Sequence, residues 1–73
     1  MPARFGDIVR ALRKSGAMVQ KPKTGSHWKA VAPDGRTYPI PASHGTKTKI
    51  PDVYIRGVCR ALGLDESEFR KLL

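Results

Sequence analysis

Two imidazoles, one thiol and a run of lysines are the residues of this 73-residue chain with chemistry to offer. His27 directly follows Gly25 and Ser26. An imidazole changes charge between about pH 5 and 8, so it gives or takes a proton at cellular pH. Breaking a ribose–phosphate chain asks for such a group. Once a base removes the 2′-hydroxyl proton, that oxygen attacks the adjacent phosphorus and a cyclic phosphate forms. Gly25 lets backbone approach a phosphate, and Ser26 offers a hydroxyl or an amide to hold it. Nearby lysines stabilise the developing negative charge. Spacing alone leaves a plainer account open, in which His27 is an ordinary solvent-facing strand residue.

His44 lies in Ser43-His44-Gly45 and is either a second acid, a substrate contact, or a loop residue ahead of a glycine turn. Cys59 falls on an apolar helical stripe and reads as a small core residue. With one cysteine and two histidines in the chain, no internal disulfide can form and a zinc site is poorly supported. No glycine-rich nucleotide fingerprint, catalytic carboxylate pair or nucleophile triad is present, so no metal and no cofactor is expected.

Charge points the same way as His27. Lys plus Arg number 14 against 6 Asp plus Glu, a formal net charge of +8. Such an excess attracts polyanions through long-range attraction and counterion release. It is also uneven: Lys21, Lys23, Lys29, Arg36, Lys47 and Lys49 stand against Asp34 alone. Lys21, Lys23 and Lys29 flank His27 and read as phosphate contacts or as solvated charges. Lys47 and Lys49 precede a helix start, itself an anion site, although Asp52 brings its own carboxylate there. Trp28 offers a ring for base stacking, but its alternation with Ala30 and Ala32 favours packing in the core.

The elements that must position these residues can be read from periodicity. A first helix is predicted from about Ala3 to Ser15, with Phe5, Ile8, Val9 and Leu12 on one stripe and Gly16 as its left-handed stop. Three strands follow: Ala17 to Lys21, Ser26 to Ala32, and Thr37 to Pro41. In the second, Trp28, Ala30 and Ala32 alternate with His27 and Lys29. Pro33-Asp34-Gly35-Arg36 is turn chemistry. Pro39 and Pro41 remove two N–H donors from the same edge, which makes the third strand an edge strand closed to further pairing. Residues Ala42 to Lys49 read as a polar loop.

A second helix is predicted from Pro51 or Asp52 to Leu62, buried through Ile55, Val58, Cys59 and Leu62, with Val53 or Tyr54 contributing at its start. Gly57 inside it costs about 1 kcal/mol relative to alanine, which a close approach by another element would explain. A short last helix is capped by Asp65, with Glu68 completing a capping box and Leu64 and Phe69 at the staple positions. The expected fold is α+β, in the order α-β-β-β-α: one domain over residues 1–73, with two helices on one face of a three-stranded antiparallel sheet. His27 and Lys29 are then displayed on the open face. A chain this short buries a thin core, so any site lies on an open face or in a shallow groove. No apolar run reaches the length of a membrane span, and no signal peptide opens the chain, so the reading is cytoplasmic.

In this order and spacing the chain resembles HicA-type toxins of bacterial toxin–antitoxin pairs. The matching features are a helix ending at Ser15-Gly16, then Gly25-Ser26-His27, then Pro33-Asp34-Gly35-Arg36. After them come a proline-bearing strand, His44-Gly45, and a helix closing as Arg60-Ala61-Leu62-Gly63-Leu64, followed by Asp65-Glu66-Ser67-Glu68-Phe69. The resemblance covers about Phe5 to Leu72. It implies a double-stranded-RNA-binding-like fold, an endoribonuclease that cuts mRNA without a metal, and a HicB-type antitoxin partner. It also implies that His27, after the Gly-Ser pair, is catalytic. Trp28 stands where many members carry a second histidine, and Thr46 to Asp52 departs from the glycine-based turn usual there.

Two other functions fit the same residues. One is a non-catalytic RNA-binding module that uses the lysines alone. The other is a DNA-binding or protein-docking domain that uses Arg56 and Arg60 on the wet face of the second helix.

Overall fold

Phe5, Ile8 and Leu12 of the stripe predicted for the first helix are fully buried; Val9 is half-buried against the core, and Ala11, outside the predicted stripe, is fully buried. The computed structural model describes residues 2–73, and the helix (α1) spans Phe5–Lys14. It starts two residues later than its pattern suggests. Ala3–Arg4 instead form a short strand, β1, paired antiparallel with β5, Lys49–Ile50. The Phe5 N–H, at the unsatisfied start of α1, donates to the Thr48 carbonyl at 2.8 Å. At the other end, the Ala17 N–H donates to the Leu12 carbonyl and the Gly16 N–H to the Arg13 carbonyl. Those two bonds, with Gly16 at φ +88°, make the predicted left-handed stop.

The main sheet has the order β2-β3-β4, with β2 at Met18–Gln20, β3 at His27–Val31 and β4 at Thr37–Pro41. All its pairings are antiparallel; Ala30 lies opposite both Val19 and Tyr38, and Trp28 opposite Ile40. These residues share one face. The Phe5 ring of α1 meets the Trp28 ring edge-on, centroids 5.0 Å apart. Gly57 of α2 (Asp52–Leu62) lies against the Tyr38 phenol on the same face. A methyl group at Gly57 would stand 2.5 Å from Tyr38 Cζ, so the close approach expected for this glycine is there.

The Ala42 N–H donates across to Ser26 at 2.8 Å, so the amides of Ile40 and Tyr38 face β3 as well. Positions 39 and 41 therefore face outward, and their prolines leave the free edge of β4 without donors there. The loop from Ala42 is more ordered than its polar composition suggests: it holds a 3₁₀ turn at Gly45–Lys47 before entering β5.

Helix α2 buries Ile55, Val58, Cys59 and Leu62 as predicted; at its start Tyr54 packs on the core while Val53 is 63% exposed. Helix α3, Glu66–Lys71, is capped by the Asp65 carboxylate, which accepts from the Glu68 N–H at 2.9 Å. The Glu68 side chain turns to Lys71 rather than back to the cap. Phe69 is buried and Leu64 packs on the core, as the staple positions require. Arg70 ties α3 to α2, holding Asp52 at 2.7 Å and Glu66 at 2.9 Å. No buried polar or charged residue occurs among the described residues, and no helix is long and apolar enough to cross a membrane.

Candidate nucleic-acid interface

With Trp28, Ala30, Tyr38 and Ile40 turned to the helices, the pleat sends His27, Lys29 and Val31 to the opposite face. That face has no helix on it. His27 and Lys29 are exposed there, and Met18 is 66% exposed. His27 opens β3 opposite Pro41, and Lys29 lies between Gln20 and Pro39.

The β2–β3 connection brings further cations to the same place. Residues 21–26 connect β2 to β3, with Gly25 at φ +80°, a conformation that side chains with a Cβ adopt reluctantly. Lys21, Lys23, Thr24, His27 and Lys29 line a groove of about 330 Å³. Among the described residues, none of these three lysines has a carboxylate within ion-pair distance. The acids are engaged elsewhere: Asp7 with Arg10, Glu68 with Lys71, and Asp52 and Glu66 with Arg56 and Arg70. Asp34 sits in the turn at the far end of the hairpin. The Arg36 backbone N–H at 3.0 Å, with its guanidinium at 2.6 Å, holds the Asp34 carboxyl below its ordinary range.

Gly25 and Ser26 do not line the His27 groove itself. They border a neighbouring hollow of about 390 Å³ with Lys21, Ser43, Thr46 and the half-buried Trp28. Trp28 thus serves the core and a surface hollow at once. Ser43 and Thr46 carry no signal in the sequence; the chain return from β4 puts them there. His44 is exposed, and its backbone N–H donates to the Thr48 hydroxyl at 2.8 Å. It lines neither depression. Lys47 closes the 3₁₀ turn, and Lys49 lies in β5, beside Arg4 and Asp7 in a different groove. Neither lysine reaches the His27 groove, and α2 begins beyond them with the Asp52 carboxylate already bound by Arg70.

The groove offers one imidazole, three ammonium groups and a threonine hydroxyl on an open face. It can bind a phosphate chain, and it can move one proton at His27. The His27 ring has no hydrogen-bond partner among the described residues. No group of three or more His, Cys, Asp or Glu close enough to hold a metal ion exists among them. The sequence matches no protein-family model and no curated protein.

Proposed function

We propose that the protein is an endoribonuclease of the HicA toxin type that cuts mRNA without a metal, with His27 as its general acid or base. One observation carries the reading: the chain's exposed β-strand imidazole stands in a groove with three lysines free of carboxylates. As base, His27 takes the 2′-hydroxyl proton. The 2′-oxygen bonds to phosphorus, the bond to the 5′-oxygen breaks, and that oxygen leaves with a proton from solvent or an ammonium group. The products are a 2′,3′-cyclic phosphate and a 5′-hydroxyl. Lys21, Lys23 and Lys29 hold the phosphates and stabilise the charge of the transition state. The double-stranded-RNA-binding-like arrangement belongs to this proposal, as do a cytoplasmic setting and a HicB-type antitoxin that covers the open face.

Cleavage of a defined mRNA by wild type and by His27→Ala, in EDTA and with binding measured in parallel, tests it. Wild type should cut; the variant should bind equally and cut at least about 100-fold more slowly, the usual contribution of a general acid or base. Metal-dependent cutting, or full activity in the variant, sinks the proposal.

A second reading has an observation of its own. Among the described residues, no second acid–base residue apart from the lysines lines the groove, and none hydrogen-bonds the His27 ring. Both facts suit a module that binds RNA without cutting it. In that case wild type binds and leaves RNA intact. Docking on DNA through α2 is less favoured, because Arg56 is engaged with Asp52 and Glu66.

A further inference from the structure

Three neighbouring depressions share lining residues. The His27 groove and the Ser26 hollow share Lys21 and Pro22. The Ser26 hollow and a third cleft, of about 420 Å³ beside α1, share Trp28 and Thr46. That cleft is lined by Gly6, Val9, Arg10, Arg13 and Lys14, with the fully buried Phe5 behind them. Gly6 is what brings α1 close there: a Cβ on it would stand 3.2 Å from Thr46 Cβ. Arg10 is committed to Asp7 at 3.1 Å, whereas Arg13 and Lys14 are exposed and have no carboxylate partner among the described residues.

The path therefore leaves the open sheet face at Lys29 and His27 and rounds the end of the hairpin at Lys21. It reaches the helix side at Trp28 and ends on two unpaired cations. From this we infer that the RNA continues past the His27 groove along this path, and that Arg13 and Lys14 form a distal phosphate subsite. The inference rests on the RNA reading of the His27 groove. It also specifies the substrate, because a rigid duplex cannot turn from one face of a sheet to the other. A single strand can, its phosphates meeting cations and its bases meeting the half-buried Trp28 and Val9.

Arg13 and Lys14 also complement the negative end of the α1 dipole, a role that would affect stability but not the ionic behaviour of RNA binding. The experiment separates the two. Affinities are measured across a salt series for single-stranded oligoribonucleotides of roughly 4 and roughly 12 nucleotides, one at the lower end and one well inside the usual range of single-strand site sizes. The proteins are wild type, R13Q/K14Q and K29Q, each checked for folding by circular dichroism. For the longer strand, R13Q/K14Q should lower affinity on the order of tenfold at about 0.1 M salt, and flatten the slope of log K against log salt by about 1.4. For the shorter strand it should change neither, while K29Q should weaken both strands. A 12-mer bound by R13Q/K14Q with wild-type affinity and slope, while K29Q still weakens it, overturns the path and leaves the groove. A wild type that binds neither strand overturns both. Duplex RNA of the same length bound as tightly, with the same dependence on Arg13 and Lys14, overturns the single-strand assignment.

Discussion

His27 and Lys29 project to solvent while Trp28 and Ala30 turn inward, and this single alternation decides what the middle strand presents. If that presentation places phosphates, K23Q and K29Q should each weaken RNA binding and flatten its salt slope by about 0.7, the value for one phosphate contact on a single strand. A slope unchanged in both variants would remove the lysines from the interface. The alternation was legible in the sequence because a half-buried strand enforces period two. The grouping of Lys21 and Lys23 with His27 was legible only as proximity along the chain. That Gly25 and Ser26 face a separate hollow, with Ser43 and Thr46 across it, was not legible, because it depends on where a distant loop returns. Cys59 makes a residue-level prediction of another kind. Burial pushes its thiol up to about 11. A raised folded pKa means that an unfolded thiol near its ordinary value of 9.0 ionises first as pH rises. Its contribution to stability is thus complete below pH 9 and falls away between about pH 9 and 11. Urea midpoints of wild type should fall more steeply over that range than those of Cys59→Ala, and native Cys59 should resist alkylation at pH 8 until urea opens the fold. Parallel pH curves, or rapid native alkylation, would contradict the buried placement.

Among the elements, the contact between α2 and β4 is the tightest constraint. Gly57→Ala gains helix propensity of about 1 kcal/mol, but its methyl group overlaps the Tyr38 phenol. Overpacking of this kind costs about 1–3 kcal/mol, so a net loss of stability is expected in chemical denaturation. Pairing it with Tyr38→Leu should recover part of that loss. Simple additivity in the double-mutant cycle would show that the two residues do not press on each other. Helix and strand boundaries were legible to within one or two residues wherever apolar periodicity ran for a whole element. The exceptions were β1 and β5, Ala3–Arg4 and Lys49–Ile50. A two-residue strand has no period to read, and each exists because the other is brought alongside it. That pairing buries Ile50 completely and, through the Thr48 carbonyl, supplies the start of α1 with the acceptor that its own sequence lacks.

The described residues span 29 × 27 × 18 Å, with α1 and α2 packed on the Trp28 and Tyr38 face of the sheet and His27 and Lys29 exposed on the other. Bare sheets invite pairing, yet the outer edge of β4 lacks donors at Pro39 and Pro41. A strand-adding partner must therefore use the edge of β2, or cover the face through side chains. Replacing both prolines with valine should promote concentration-dependent association in sedimentation beyond that of the wild-type chain at the same concentrations. The segregation of charge has a consequence for speed. If RNA binds at the His27 groove as proposed, the net charge of +8 and the absence of acidic residues from the lining of that groove should draw the polyanion in before any contact is made. Encounters then begin already turned the right way, so raising the ionic strength should slow arrival far more than it hastens departure.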